Sequence, residues 1–305
     1  MRIVLIGQAR FGEDVLKALI NHGEDVVGVY APVDAPGRPE LLKVAAEKQG
    51  IPVFQPARMR NPAVYTEYIK LKPDLNVMAF VTDILPLTIL NYPKLGTIQY
   101  HPSLLPKHRG GSAINWAIIN GETRTGVTIF WPDKGIDTGP ILLQKETDIS
   151  PDDTVGSLYY DKLYPLGVAA LVESVALVRS GKAPRIPQDE SRASYEVLCT
   201  ENEAIIDWSQ PAAKVYNLIR GTNPQPGATT YLRGAKLKIF DSVLINALQD
   251  KLPGVVTEIT EKGITVAGKD GAILVKRVQP AGSAKIAAAE YAQAVALKTG
   301  ACFGR

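Results

Sequence analysis

A chain of 305 residues with 46% hydrophobic and 21% charged residues has room for two domains with buried cores, and this composition excludes an intrinsically disordered protein. The formal net charge of +3 is too small to require a nucleic-acid partner by itself. The two cysteines, Cys199 and Cys302, lie far apart in the sequence, so we expect neither a disulfide framework nor a zinc site, and we predict no metal.

The sequence lacks the long apolar segments of secretion or membrane insertion. The apolar run at the N-terminus is about five residues long, shorter than the apolar region of a signal peptide. No other stretch approaches the roughly 18 apolar residues of a membrane helix. We therefore expect a cytoplasmic protein without a membrane partner.

The first elements alternate between strand and helix. In chain order they are strand Arg2–Ile6, helix Phe11–Asn21, strand Val26–Tyr30, helix Leu41–Gln49, strand Val53–Phe54, helix Pro62–Leu71 and strand Leu75–Phe80. This alternation predicts an α/β domain with a mostly parallel sheet. The first turn, GQARFG, lacks the Gly-x-Gly-x-x-Gly spacing of a dinucleotide site, so we predict no nicotinamide cofactor.

The segment VTDILPL, residues 81–87, leaves the strand that ends at Phe80 and stops at Pro86. One interpretation is a plain connection whose Ile84 and Leu85 fill the core. The other is a loop that borders a cleft and offers its main-chain groups to a ligand.

A short strand, Gly96–Tyr100, ends in His101, which Pro102 restricts to an extended backbone. Ligands collect outside the carboxyl ends of strands in α/β sheets, so this histidine is a candidate site residue. The alternative is a partly buried loop histidine without a chemical role.

The turn after His101 carries further polar residues. Lys107 and Arg109 are either solvated turn charges or groups that attract an anion. Ser112 is expected to cap a helix that runs from Ala113 to Asn120.

A second polar turn, WPDKGIDTGP at residues 131–140, follows the predicted strand Gly126–Phe130 and carries Asp137. Gly135 and Gly139 allow a close backbone approach or a positive φ, and no long side chain nearby is expected to hide the carboxylate. The pattern thus suggests a histidine and an aspartate at the ends of neighbouring strands.

The remaining sequence predicts a helical stretch and a second domain. A strand Ile141–Lys145 precedes a long helix that begins near Asp152, reaches Arg179 and is kinked at Pro165. The polar segment GKAPRIPQDESRAS indicates a linker. We predict domains at residues 1–182 and 205–305 joined by a linker at 183–204, the second domain being a small β-rich barrel.

The segment HPSLLPKHRGGSAINW followed by GVTIFWPDKGIDTGPIL resembles the signature of the 10-formyltetrahydrofolate-dependent formyltransferases. A later segment, AIIDWSQPAAKVYNLIRGTNPQPGA, is similar to the start of that family's C-terminal domain, which is OB-like. Within the family, HPSLLP and SAINW are most similar to the hydrolase domain of 10-formyltetrahydrofolate dehydrogenase, and methionyl-tRNA formyltransferase is the next resemblance.

The resemblance implies a Rossmann-like formyltransferase domain followed by an OB-like domain, with 10-formyltetrahydrofolate as co-substrate. It implies that His101 and Asp137 are catalytic, His101 donating to the formyl oxygen if the pairing with Asp137 protonates it. The implied folate contacts are Asp83, Ile84, Leu85, Ser103, Leu104, Leu105, Pro106 and Asp137. Arg220, Asn223, Pro224 and Pro226 are expected to be packing and turn residues.

Two departures from the family pattern bear on the formyl acceptor. Many of the transferases have Asn two residues before the histidine, where this chain has Gln99. The loop APVDAPGRPE is shorter and less basic than the lysine-rich insertion of methionyl-tRNA formyltransferases, which makes tRNA a possible but less favoured partner. The acceptor stays open between water, a small amine and methionyl-tRNA, and a non-enzymatic folate-binding or RNA-binding module is the remaining alternative.

Overall fold

The structure, a computed structural model, describes residues 1–246 and 251–304. The chain forms two compact units. The first consists of Met1–Gly110, Gly126–Thr147 and Asp161–Tyr195, and the second of Gly111–Thr125, Asp148–Tyr160 and the described part of Glu196–Arg305. The boundaries proposed from the sequence, 1–182, 183–204 and 205–305, stay a prediction. Among the described residues, no helix is long and apolar enough to cross a membrane.

A seven-stranded sheet forms the first unit's framework, in the order β3-β2-β1-β4-β5-β6-β7. The strands are β1 (Arg2–Gly7), β2 (Asp25–Tyr30), β3 (Val53–Phe54), β4 (Leu75–Ala79), β5 (Thr97–His101), β6 (Arg124–Phe130) and β7 (Ile141–Asp148). The first five strands in this order, from β3 to β5, pair in parallel with their neighbours, whereas β6 is antiparallel to β5. The predicted mostly parallel, Rossmann-like α/β sheet is confirmed.

The helices between and after these strands are, in chain order, α1 (Ala9–Asn21), α2 (Leu41–Lys48), α3 (Pro62–Tyr68), α4 (Leu87–Leu90), α5 (Ala113–Ile119), α6 (Val155–Ser157) and α7 (Tyr164–Arg179). Of these, α5 and α6 belong to the second unit. A 3₁₀ turn, Ile69–Leu71, follows α3, and a π-helical turn, Leu158–Leu163, joins α6 to α7. The predicted continuous helix with a kink at Pro165 is therefore wrong, because the interruption is the π turn and Pro165 lies in the first turn of α7, where its missing N–H costs no hydrogen bond.

Packing against the sheet fixes β5, the strand that ends in His101. The ring of Tyr100 packs against the ring of Phe11 in α1, tilted by 35° at a centroid distance of 4.5 Å. A Cβ at Gly167 of α7 would lie 2.5 Å from the Tyr100 ring, so only glycine allows this close approach. Since side chains alternate along a strand, Thr97, Gln99 and His101 share the opposite face from Tyr100.

The second unit has a six-stranded antiparallel sheet, in which β13 pairs with β12 beside the order β10-β11-β12-β9-β8. Its elements are α8 (Ala212–Gly221), β8 (Ala228–Leu232), β9 (Ala235–Ile245), β10 (Val256–Thr260), β11 (Gly263–Ala267), β12 (Ala272–Pro280), β13 (Ile286–Ala287) and α9 (Ala288–Ala294). Trp208, Ile219 and Ile273 belong to one buried apolar core. The predicted β-rich C-terminal domain is confirmed as an antiparallel sheet.

Two polar residues, Arg220 and Asn223, lie in the segment that resembles the start of the family's C-terminal domain, and both make hydrogen bonds to main-chain oxygens. Arg220 donates to the main-chain oxygen of Asp153 at 3.1 Å, and the Asn223 amide donates to the main-chain oxygen of Phe240 at 3.2 Å. Both side chains are buried, as expected for packing residues.

Ser112 does not cap α5 in the predicted way. Its backbone has a φ of 63° and its side chain makes no capping hydrogen bond. The hydroxyl instead accepts from the main-chain N–H of Cys199 at 3.1 Å. The left-handed backbone turns the hydroxyl away from the N–H groups of the first helical turn, so the prediction from residue type is wrong here.

Candidate active site

His101 and Asp137 lie side by side in the first unit, both nearly buried, with exposed fractions of 5% and 9%. Nδ1 of His101 is 3.5 Å from Oδ2 of Asp137, an ion-pair distance that is long for a hydrogen bond. The sequence predicted that these side chains would meet, and the structure brings them together. The expectation that no side chain hides Asp137 is wrong, because the carboxylate is packed into the site.

The tautomer of His101 follows from its other nitrogen. Nε2 lies 2.8 Å from the main-chain oxygen of His108, and since a carbonyl only accepts, Nε2 carries the hydrogen. In the neutral ring, Nδ1 therefore presents its lone pair toward the Asp137 carboxylate.

Burial lowers the pKa of His101 below its ordinary value, since the low-dielectric surroundings disfavour the charged ring. The Asp137 carboxylate and the bond to the His108 carbonyl oppose this decrease, while the nearby His108 ring adds to it. The direction of this pKa shift favours the neutral imidazole, a form of His101 that can accept a proton.

Asp137 owes its position to an unusual backbone. Its φ is 55°, a left-handed conformation that Asp tolerates better than most residues. A Cβ at Gly139 would lie 1.8 Å from the main-chain oxygen of Trp131, which confirms the close backbone approach expected there. Oδ2 of Asp137 accepts from the N–H of Gly110 at 2.8 Å. No hydrogen bond within residues 1–246 and 251–304 reaches the other oxygen, Oδ1.

The direction of β6 alters how the aspartate reaches the histidine. Phe130 at the end of β6 pairs with Gln99, and Thr128 pairs with His101. The chain thus leaves β6 away from the carboxyl end of β5, and the loop at residues 131–140 must turn back to bring Asp137 to His101. The predicted neighbouring strands are correct, but their ends do not point to the same edge.

The predicted SLLP contacts form a tightly bonded turn. Ser103 is fully buried, and its hydroxyl donates to the main-chain oxygen of Lys107 at 2.6 Å. The N–H of Leu105 donates to the hydroxyl of Thr128, and the Leu105 carbonyl accepts from the amide of Gln144 at 2.9 Å. Leu105 and Pro106 are buried, whereas Leu104 is half-buried. Of the two leucines, Leu104 therefore leaves more of its side chain accessible.

The loop at residues 81–87 presents one apolar side chain and buries another. Ile84 is 71% exposed, whereas Leu85 is 6% exposed and belongs to the core with Met78 and Ile89. The alternative that these residues fill the core holds for Leu85 alone. Asp83 accepts from the N–H groups of Met59 and Ile84, at 2.8 and 2.9 Å, which fixes the loop.

Arg109 is neither a solvated turn charge nor an anion-attracting group at the surface. Its side chain is fully buried and forms hydrogen bonds to Gln188, Glu190 and Tyr195. Both alternatives drawn from the sequence are therefore wrong for Arg109. Lys107, by contrast, is exposed.

Gln188 and Gln144 are site residues that the sequence analysis missed. Nε2 of Gln188 donates to the main-chain oxygens of Asp137 and Gly139, at 2.8 and 2.7 Å. Gln188 lies in a polar, proline-containing segment that is typical of a linker, so the local pattern carried no signal for it.

A separate cavity of about 560 Å³ lies in the second unit, where Lys238, Lys285 and Phe240 contribute to its lining. None of the predicted site residues lines this cavity. Within the described residues, no group of three His, Cys, Asp or Glu side chains is arranged to hold a metal ion.

Residues 1–175 match the family model described as formyl transferase, and residues 199–296 match the formyl transferase C-terminal domain. Cytosolic 10-formyltetrahydrofolate dehydrogenase of Mus musculus is 43% identical over 296 residues, which cover 92% of this chain and 32% of that protein. Methionyl-tRNA formyltransferase of Syntrophus aciditrophicus (strain SB) is 39% identical over 308 residues, covering 99% of this chain and 98% of that protein. The chain thus spans about a third of the dehydrogenase's length.

Solved structures share the fold at low sequence identity. HypX from Aquifex aeolicus in complex with tetrahydrofolic acid has a TM-score of 0.68 and 20% identity over 96% of this chain and 47% of that chain. The N-formyltransferase from Helicobacter canadensis, in complex with folinic acid and dTDP-3-aminofucose, has a TM-score of 0.70 and 21% identity over 91% of this chain and 98% of that chain. Together with the family models and the full-length relative, the fold leads to one assignment: this chain belongs to the formyl transferase family.

Proposed function

We propose that this protein removes the formyl group of 10-formyltetrahydrofolate and releases tetrahydrofolate, with water as the first acceptor to test. The observation that carries the proposal is the buried pair of His101 and Asp137, whose nitrogen and oxygen are 3.5 Å apart. The carboxylate keeps one oxygen for a substrate, and the family match supplies the substrate class.

The chemistry requires a base and a group that stabilises negative charge. An attacking water or amine forms a bond to the formyl carbon, and the oxygen of the formyl group gains negative charge. Oδ1 of Asp137 takes a proton from the nucleophile, while Nδ1 of His101 lies 3.5 Å from Oδ2, the other oxygen of the same carboxylate. The bond from carbon to N10 then breaks, and the same proton passes to N10, so that atoms and charge balance.

Gln99 is the proposed donor to the formyl oxygen. It lies on the same face of β5 as His101, two residues earlier, and it is half-buried. No hydrogen bond in the described part of the chain holds its side-chain amide, so the amide is available to a ligand. A donor placed where negative charge develops typically accelerates acyl transfer.

Folate contacts are proposed from two loops. Main-chain groups at Asp83, Ile84 and Leu85 suit the flat edge of a pterin, because they offer donors and acceptors in one plane. The turn formed by Ser103, Leu104, Leu105 and Pro106 is proposed to border the formyl end of the ligand. Formyl transfer changes no oxidation state, so the proposed reaction does not use a nicotinamide.

Water is favoured as acceptor by two features of this chain. Gln99 replaces the Asn found in many transferases, and the loop at residues 31–40 carries one arginine, Arg38, and no lysine. The 43% identity to a region of the mouse dehydrogenase supports the same choice. The second candidate is methionyl-tRNA formyltransferase activity, because the Syntrophus aciditrophicus (strain SB) relative matches over 98% of its own length.

We propose the cytoplasm as location, although the relatives include cytosolic and mitochondrial proteins.

The acceptor is tested by incubating the protein with 10-formyltetrahydrofolate, first in buffer and then with methionyl-tRNA or an amino sugar. Formate that appears at the same rate with and without an amine supports hydrolysis. Formyl-methionyl-tRNA formed at the expense of formate supports the second candidate. Tight folate binding without turnover toward any acceptor supports the non-enzymatic folate-binding module, and RNA binding without folate binding supports the RNA-binding alternative.

A further inference from the structure

Gln188 connects the loop that carries Asp137 to a buried arginine. Its Nε2 donates to the main-chain oxygens of Asp137 and Gly139, at 2.8 and 2.7 Å. Its Oε1 accepts from Nε and Nη2 of Arg109, at 3.1 and 2.8 Å. All four contacts of this amide are thus used within the first unit.

Arg109 is a rigid anchor for this amide. Its guanidinium also donates to both carboxylate oxygens of Glu190, at 2.9 and 2.7 Å, and to the hydroxyl of Tyr195 at 2.8 Å. Its main-chain N–H donates to the oxygen of Ser194 at 2.9 Å. The side chain is fully buried, so the planar guanidinium is held in one orientation.

The anchor fixes which way the Gln188 amide faces. A guanidinium only donates, so it requires the oxygen of the amide, and the two carbonyls only accept, so they require its nitrogen. The side-chain N–H groups of Gln188 therefore bind the loop on both sides of Thr138. Asp137 has a φ of 55° there, and such a backbone persists only where its surroundings hold it.

We propose that Gln188 is a positioning residue, which holds the Asp137 loop so that the carboxylate meets Nδ1 of His101. The proposal rests on the proposed function for its catalytic consequence. It is a claim about geometry in the unliganded protein and can be tested there without turnover. No contact between Gln188 and the substrate is implied.

Two variants separate the amide's two roles. Gln188→Glu keeps an oxygen for Arg109 but places a carboxylate oxygen against two carbonyls. It therefore loses the hydrogen bonds to the loop and keeps those to Arg109. Gln188→Met is similar in length and loses both. Tyr164→Phe is the matched control, because it removes one hydrogen bond of the same unit, 2.6 Å from the Tyr164 hydroxyl to Asp14, outside the site.

The structural readout is the amide proton of Gly110, which donates to Oδ2 of Asp137 at 2.8 Å. Its NMR chemical shift reports the carboxylate's position without any substrate. We expect this resonance to move upfield in both Gln188 variants and to stay in place in Tyr164→Phe. An unchanged Gly110 resonance in Gln188→Glu and Gln188→Met would overturn the proposal.

The kinetic readout is the separation of kcat from KM. We expect kcat to fall about 10- to 100-fold in both variants with little change in KM for the folate, since a misplacement of about 1 Å near the reacting group has such effects. A normal kcat in Gln188→Glu with a reduced kcat in Gln188→Met would show that the amide only satisfies Arg109, and would also overturn the proposal. If the unmodified protein turns over no formyl group, the proposed function fails while the Gly110 measurement still decides the role of Gln188.

Discussion

Nδ1 of His101 lies 3.5 Å from Oδ2 of Asp137, in a site where both side chains are nearly buried. The histidine is fixed from its other side by the His108 carbonyl, and the aspartate by the N–H of Gly110. Burial lowers the pKa of His101, which favours a neutral imidazole that can receive a proton during the reaction.

Replacing Asp137 by Asn should lower kcat about 10²- to 10⁴-fold, the range typical of a lost general base. Asn tolerates a positive φ and still offers an oxygen to the Gly110 N–H, so the fold should be retained. Steady-state kinetics and circular dichroism measure the two effects. A folded variant with near-normal turnover would remove Asp137 from the mechanism.

The pH dependence of kcat/KM should have an acidic limb. Burial lowers the pKa of His101, so we expect the imidazole to take up a proton only below about pH 6.5, the ordinary pKa of histidine. Activity should be level through neutral pH and decline as His101 takes up a proton. If activity instead rises toward acid pH, the protonated histidine is the active form.

Stability should depend on pH through the same residue. The unfolded chain binds a proton to this histidine at higher pH than the folded protein does, so the free energy of unfolding decreases as pH falls from about 6.5 toward the folded-state pKa. In His101→Gln the slope in this window should be smaller. Urea unfolding at several pH values measures it, and equal slopes in both proteins would contradict the assigned direction of the shift.

Gln99 should contribute to turnover through its amide. Gln99→Leu is expected to lower kcat about 100-fold, as for other lost donors to a developing oxyanion, while KM for the folate changes little. Gln99→Asn keeps the amide but shortens the side chain, so an intermediate rate is expected. If the leucine variant has normal kcat, Gln99 is only a packing residue of β5.

Arg109 should matter for stability more than its neighbour Lys107. Arg109→Met leaves Gln188 and Tyr195 without their partner, and we expect a loss of about 2–3 kcal/mol, below the usual cost of breaking a fully buried pair because the Glu190 side chain is 69% exposed. Lys107→Met, at an exposed position, should change stability by less than about 0.5 kcal/mol. Equal unfolding midpoints for the two variants in urea would contradict the anchoring role of Arg109.

Local sequence patterns predicted most of the sheet and the meeting of His101 with Asp137. Apolar runs and glycine or proline turns are local signals, and both residues stand beside such turns. The direction of β6 and the burial of Arg109 depend on contacts with distant parts of the chain. Gln188 is 79 residues from Arg109, so the hydrogen bonds of its amide could not be predicted from local residue types. The direction of the His101 pKa shift depends on burial in the folded protein, which local residue types do not give either.

The central claim is tested most directly by supplying the protein with 10-formyltetrahydrofolate in buffer that contains no amine, and measuring tetrahydrofolate and formate over time. We predict many turnovers, with the two products appearing in equal amounts. Binding of 10-formyltetrahydrofolate without release of tetrahydrofolate, in buffer and after addition of methionyl-tRNA or an amino sugar, would contradict it.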